Sequence, residues 1–208
     1  MALNEGIYAF YYALSFIITL SVISLFVTLL IDFAFYGDKS AVKINKRSIV
    51  ATSSIAGFYA VYYAVLQLGW GSFSFVYRNS ADLYVNFSLI IFAAAMIVAG
   101  AAVNILGRLQ LKNNWSNQIK IYKEHALITR GVYKMIRHPL YTSIMLMLCG
   151  GCLAYKNILC VALTAFVFVP FMYYRARQEE SLLRAEFSEY ARYMADTGMF
   201  FPKLRKIK

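Results

Sequence analysis

The chain has 208 residues, of which 61% are hydrophobic, with a mean hydropathy of +0.57 and a formal net charge of +11. A soluble domain of this length is more polar on average, so an ordinary water-soluble globule is excluded. The basic excess falls in alternate segments and no nucleic-acid motif accompanies it, which argues for a topological origin and against nucleic-acid binding.

Five uncharged runs organise the chain: Gly6–Ile31, Ser48–Tyr77, Leu83–Gly107, Pro139–Tyr155 and Asn157–Tyr174. About 20 helical residues cross a hydrocarbon core roughly 30 Å thick. Backbone groups in lipid must be satisfied within their own segment, so each run is expected to be a helix. The expected architecture is all-α: a polytopic membrane protein with about five transmembrane helices. Its last two spans form a tight hairpin around Lys156–Asn157. The first run is too long for the apolar part of a signal peptide, and Met1–Glu5 carries no Lys or Arg.

Nineteen of the 21 Lys and Arg lie in 37–48, 107–138 and 175–208; Arg78 and Lys156 are the other two. With five spans these three segments share one side. The positive-inside rule makes that side cytoplasmic, with the N-terminus outside. Ala93–Ala95 and Gly100–Ala102 read as a small-residue packing face. Cys149-Gly150-Gly151-Cys152 has the spacing of a redox dithiol but lies within an apolar run, where small residues serve close helix approach. Three Cys and two His form no zinc-ligand pattern, and no metal is expected.

The chain divides into 1–106, three apolar spans, and 107–208, which carries the chemistry. The segment 108–138 is too long and too polar for an idle connection. Asn117–Tyr122 alternates weakly, as a short extended piece would, and Thr129-Arg130-Gly131 reads as a turn. Pro139 opens the fourth span from a first helical position, which makes His138 its cap residue. After the fifth span, 179–195 continues as an amphipathic helix with Leu183, Phe187, Tyr190 and Met194 on one face. Arg177 reads as a cation anchored at the membrane edge.

The hairpin brings the residues before the fourth span beside those after the fifth. One wall then offers helix-start amides, His125, Arg137 and His138; the other offers Glu179 and Glu180. Amides at a helix start attract a carboxylate, and carboxylates accept from hydroxyls or an ammonium. Such a site suits a zwitterionic, polyhydroxylated ligand.

Three blocks carry a family resemblance: His125-Ala126-Leu127-Ile128-Thr129-Arg130-Gly131-Val132-Tyr133, Arg137-His138-Pro139-Leu140-Tyr141, and Arg175 four residues before Glu179-Glu180. Phe187-Ser188-Glu189-Tyr190 followed by Phe201-Pro202 extends them. In this order, over about 105–204, they resemble the isoprenylcysteine carboxyl methyltransferases, within a wider group that includes the phospholipid N-methyltransferases. The resemblance implies S-adenosylmethionine as cofactor, held by Lys120, His125, Ala126, Leu127, Ile128, Tyr133, His138, Pro139, Leu140, Tyr141, Glu179 and Glu180. It implies that Arg175 orients the carboxylate of a lipid or lipidated acceptor reached from the bilayer. Val132 stands where many members have Pro, and Thr142-Ser143 replaces a common Thr-Gly; both leave the charged groups intact and the acceptor open. An amine methyltransferase acting on phospholipid headgroups is the main alternative, which the Arg175 cation disfavours. A nicotinamide-dependent membrane reductase is another, which five spans disfavour.

Overall fold

The computed structural model describes residues 47–73, 80–111, 120–122 and 126–203, with 41–44 and the single positions 13 and 16; of the strands and of 47–53 and 80–83 it describes the backbone alone. The first expected span, His125 and 204–208 lie outside the described residues.

The described chain is helical: α1 (Arg47–Leu68), α2 (Ser80–Leu111), a 3-10 turn (Gly131–Lys134), α3 (Pro139–Ala154), α4 (Ile158–Glu186) and α5 (Tyr190–Asp196). One element departs from the all-α expectation. Strands β1 (Ala41–Ile44) and β2 (Lys120–Tyr122) pair antiparallel, with Ala41 opposite Tyr122 and Ile44 opposite Lys120. The extended piece expected at Asn117–Tyr122 is this second strand, and pairing satisfies backbone groups that a lone strand would leave open.

Alternation of direction follows from the two ends of the helices. At one end β1, leading into α1, meets β2, which follows α2. At the other, the α1–α2 and α3–α4 connections are stitched together. The Ile158 amide donates to the Gly71 carbonyl at 3.0 Å, and the Asn157 side-chain amide donates to the Trp70 carbonyl at 2.9 Å. The hairpin expected at Lys156–Asn157 is present. Lys156 adopts the left-handed region with φ 49°, and Asn157 caps α4 by accepting from the Cys160 amide at 2.9 Å.

Helices α2 and α3 pack closely because small residues recur about every seven positions. A Cβ on Gly100 would lie 2.7 Å from the Ser143 carbonyl oxygen, and one on Gly150 would lie 2.8 Å from that of Ala93. Ala93, Ala94 and Ala101 are buried in this face, while Ala95 and Ala102 look outward. Gly150 of the Cys-Gly-Gly-Cys run therefore serves helix approach, and Cys149, Cys152 and Cys160 are free thiols. A polar chain crosses the same interface. Arg108 Nε donates to Asn104 Oδ1, and Asn104 Nδ2 donates to Ser143 Oγ, each at 2.7 Å. A second core, of Tyr62, Val65, Leu148, Cys152, Cys160, Phe168 and Met172, joins α1, α3 and α4.

Two stretches, Tyr84–Leu111 and Ile158–Glu186, are long and apolar enough to cross a membrane. The 28 residues of the first reach about 42 Å, well beyond a hydrocarbon core. The Gly57–Leu68 stretch and α3 are also apolar but shorter. Val61, Tyr63, Ile91, Phe92, Phe166 and Val167 are exposed, an outer surface suited to lipid.

The helix expected over 179–195 is interrupted. α4 ends at Glu186, Phe187 is extended (φ −115°, ψ 113°), and α5 restarts at Tyr190. Tyr190 is buried, and the break lets α5 turn back so that its C-terminal carbonyls reach Arg137. One strong ion-paired anchor thus outweighs the propensity of a short weak segment containing Ser188 to stay helical.

The two glycines predict opposite outcomes for the same change. Among the described residues nothing lies within 4 Å of a Cβ added to Gly57 in α1, so Gly57→Ala is expected to gain helix propensity and raise stability by up to about 1 kcal/mol. Gly150→Ala gains the same propensity, but overpacking costs typically about 1–3 kcal/mol, so it lowers the melting temperature in detergent. Thermal unfolding of both variants, followed by circular dichroism, checks this.

Candidate active site

The site forms where the start of α3 meets the far end of α4. The apolar run of α4 gives way to Arg175, yet the helix continues to Glu186. Met172, Arg175, Ala176 and Glu180 are all buried on one face, so this face stays inward while its chemistry changes from apolar to ionic.

Glu180 is only 2% exposed and lies between two cations. Arg137 Nε donates to Glu180 Oε1 at 2.8 Å, and His138 Nε2 lies 3.2 Å from the same oxygen. The other ring nitrogen, Nδ1, lies 3.5 Å from Glu179 Oε2. His138 thus stands between both carboxylates. It occupies the cap position of α3, as expected from His138-Pro139, while its side chain turns to the glutamates and makes no cap bond. The two glutamates are stronger acceptors for the ring than the helix amides are donors to it.

Tyr141 extends the line. Its hydroxyl donates to Glu179 Oε2 at 2.9 Å and accepts from Arg175 Nε at 3.1 Å. Its ring lies parallel to that of His138, centroids 5.4 Å apart. Arg137, Glu180, His138, Glu179, Tyr141 and Arg175 therefore form one connected network across two helices. Arg177, by contrast, is exposed, with Nη1 3.7 Å from Glu180 Oε2.

A strap after α5 closes over the start of α3. The Arg137 and His138 amides donate to the Gly198 and Met199 carbonyls at 2.8 and 3.1 Å. Thr142 Oγ1 donates to the Phe200 carbonyl at 3.0 Å. Arg137 Nη1 donates to the Met194 carbonyl at 3.2 Å and to the Thr197 carbonyl. The 3-10 turn is held likewise: the Tyr193 hydroxyl donates to the Tyr133 carbonyl at 2.6 Å, and Gln110 Oε1 accepts from the Val132 amide at 2.9 Å. Gly131 has φ +61°, and a Cβ there would meet the Gln110 side chain, so glycine fits the expected turn on both counts.

The structure brings together Tyr133, His138, Pro139, Leu140, Tyr141, Arg175, Glu179 and Glu180 at this end of the helices. Tyr133 and Pro139 are buried; Leu140, Tyr141 and Glu179 are partly exposed. Burial pushes the Tyr133 phenol well above its ordinary range, so it is a neutral hydroxyl. Leu127 and Ile128 are half-buried, Ala126 is exposed, and Lys120 lies on β2. His125 is outside the described residues. Sequence reasoning missed the strap at 197–200 and the Arg108–Asn104–Ser143 chain. Gly198 is the one local signal of the strap, since a Cβ there would meet the Phe201 carbonyl.

Burial pulls the His138 pKa down, but bonds to Glu179 and Glu180 outweigh it and hold the ring above its ordinary 6.5. A folded-state value raised above the unfolded one contributes stability that is complete below about 6.5. That contribution is lost as pH rises through the raised value. The melting temperature in detergent is therefore expected to fall as pH rises above about 6.5, and to fall less steeply in His138→Gln. Parallel slopes for the two proteins would remove the ring from this role.

Residues 91–185 match the model of the isoprenylcysteine carboxyl methyltransferase (ICMT) family. The chain is 32% identical over 116 residues to protein-S-isoprenylcysteine O-methyltransferase A of Arabidopsis thaliana, covering 53% of this chain and 56% of the relative. It is 30% identical over 102 residues to a probable protein-S-isoprenylcysteine O-methyltransferase of Oryza sativa subsp. indica, covering 46% of this chain and 53% of that one. It is also 33% identical over 82 residues to the cobalt-zinc-cadmium resistance protein CzcN of Cupriavidus metallidurans, covering 39% and 38%. The matches span about half of the plant relatives and less of CzcN. The matched segment holds α3, all but the last residue of α4 and the whole ionic network between them. Over these residues the chain is similar to the isoprenylcysteine carboxyl methyltransferase family.

Proposed function

We propose that this protein is an S-adenosylmethionine-dependent membrane methyltransferase that O-methylates the carboxylate of a lipid-linked, isoprenylcysteine-like acceptor. The observation that carries this reading is the Glu179–Tyr141–Arg175 line, which sets an anion and a cation side by side at one end of apolar helices.

The residues present fit the cofactor. Glu180 Oε2 is buried and accepts no hydrogen bond among the described residues, and Glu179 keeps 36% of its side chain exposed. Acceptors of this kind suit ribose hydroxyls or an ammonium group. His138, Pro139, Leu140, Tyr141 and Tyr133 line the neighbouring surface, with Ala126, Leu127, Ile128, His125 and Lys120 supplied by the preceding segment. When bound, S-adenosylmethionine supplies a methyl group on a sulfonium centre.

Arg175 holds the acceptor carboxylate in this scheme. A carboxylate is already ionised at neutral pH, so the site needs no strong general base. The protein's part is to position two reactants and exclude water. An apolar groove lined by Ser54, Phe58, Val167, Phe168 and Phe171 runs between α1 and α4, and Phe171 lies one turn before Arg175. A π-helical turn at Thr164–Phe168 interrupts α4 beside this groove, a feature frequent at functional sites. A lipid tail entering sideways from the bilayer would meet this groove. The ribbon β1–β2 and the ionic network share one end of the helices, in keeping with five spans whose basic connections and active site face the cytoplasm.

Incubating the detergent-purified protein with radiolabelled S-adenosylmethionine and either a farnesylated cysteine or a phosphatidylethanolamine tests the reading. Transfer to the farnesylated cysteine is expected, and transfer to the phosphatidylethanolamine alone would overturn the acceptor class. Glu179→Ala is expected to weaken cofactor binding by about 10–100-fold in calorimetry, the worth of a hydrogen bond to a charged group. Arg175→Ala is expected to lower methylation while leaving cofactor affinity nearly unchanged. Equal loss of both in Arg175→Ala would refute this division of labour.

A further inference from the structure

The network has one member that touches both halves of the site. A phenol carries a single proton and accepts through its oxygen. In Tyr141 that proton goes to Glu179 Oε2 and the oxygen receives Arg175 Nε. The hydroxyl thereby fixes the Arg175 guanidinium about its Cδ–Nε bond relative to the Glu179 carboxylate. The ring has little freedom of its own, since it stacks at 2° on His138, which is 5% exposed and held by Glu180 and the strap. In a buried setting each of the two bonds polarises the other. The tyrosine oxygen thus bonds both the Glu179 carboxylate and the Arg175 guanidinium.

We propose that the Tyr141 hydroxyl is a positioning residue that couples the carboxylate of Glu179 to the guanidinium of Arg175, so that occupation of one side of the site strengthens binding on the other. This rests on the methyltransferase reading above, in which Glu179 faces the cofactor and Arg175 the acceptor. Ordering of Glu179 by one ligand holds the hydroxyl, and the hydroxyl holds Arg175 in the geometry the other ligand needs. Coupling between two sites is reciprocal in binding free energy, so each ligand must tighten the other by the same factor.

Tyr141→Phe keeps the ring and its stacking on His138 and removes only the oxygen. Binding of S-adenosylhomocysteine is measured by calorimetry with and without a saturating farnesylated cysteine, which together form a ternary complex that cannot react. In the unaltered protein the farnesylated cysteine is expected to tighten S-adenosylhomocysteine by about tenfold, within the range usual for coupled sites. In Tyr141→Phe this factor is expected to fall below about twofold, whatever the affinity of that variant for S-adenosylhomocysteine alone. The kcat of Tyr141→Phe is expected to fall by about tenfold or more, as misplacement of reacting groups demands, and KM for each substrate, measured with the other saturating, is expected to rise by the coupling that is lost. Arg175→Lys keeps the charge, loses the Nε donor, and is expected to lose the coupling in the same way. A merely structural tyrosine would lower stability and leave the coupling factor alone. Full coupling in Tyr141→Phe would overturn this proposal and leave the methyltransferase reading standing. Failure of the unaltered protein to bind S-adenosylhomocysteine would overturn that reading and the proposal together.

Discussion

Glu180 carries its charge almost entirely out of water, and a buried carboxylate is tolerable only with cations and donors in good geometry. Arg137 and His138 supply both from the residues just before α3. Removing one partner of such a pair typically costs about 3–5 kcal/mol, because the other is left charged and uncompensated. The arrangement does more than neutralise a charge. Arg137 uses its remaining donors on carbonyls at the end of α5 and in the strap, and His138 turns its second nitrogen to Glu179. The position of α5, the closing of the strap and the orientation of the site carboxylates all refer back to this one pair.

That pair can form only if α3 and α4 meet at a constant height, and the rest of the fold supplies the fixed frame. Gly100, Gly107 and Gly150 bring α2 and α3 so close that side chains have no room between the backbones there. Asn104 ties the same interface to Ser143 one turn inside the α3 start. At the opposite end, Asn157 caps α4 and bonds the α1–α2 connection, so the hairpin cannot slide. The ends of two apolar helices are thereby held in register, and their polar extensions meet as a rigid site. A site built on helices in this way is more precise than one built on loops alone.

Much of this was legible in the chain, and the reason differs by element. The helices at 47–68, 80–111, 139–154 and 158–186 follow from charge-free runs, since an uncharged run of such length has few other ways to satisfy its backbone in an apolar setting. The hairpin at Lys156–Asn157 follows from one polar pair between two such runs. The meeting of His138 with Glu179 and Glu180 follows from the hairpin. The continuation of a single helix over 179–195 did not hold. The pattern at Leu183, Phe187, Tyr190 and Met194 is compatible with a helix, but periodicity is blind to the break at Phe187 that Arg137 and the strap impose from outside. The place of His138 before Pro139 gave its cap position, and the structure adds that its side chain turns to the two glutamates without making a cap bond.

What the sequence by itself determined is therefore where the long apolar helices and their hairpin lie, and which charged groups come near each other. These follow from hydropathy and chain direction, both of which are local. Only the tertiary structure decided which atoms pair: that Glu180 takes Arg137 and His138, that Tyr141 stands between Glu179 and Arg175, and that residues 197–200 close over the start of α3. Pairing depends on distances of a few tenths of an ångström between groups 34 to 58 positions apart. Those distances are set by helix phase, close glycine contacts and the packing of neighbouring side chains, none of which is written at any one position of the chain.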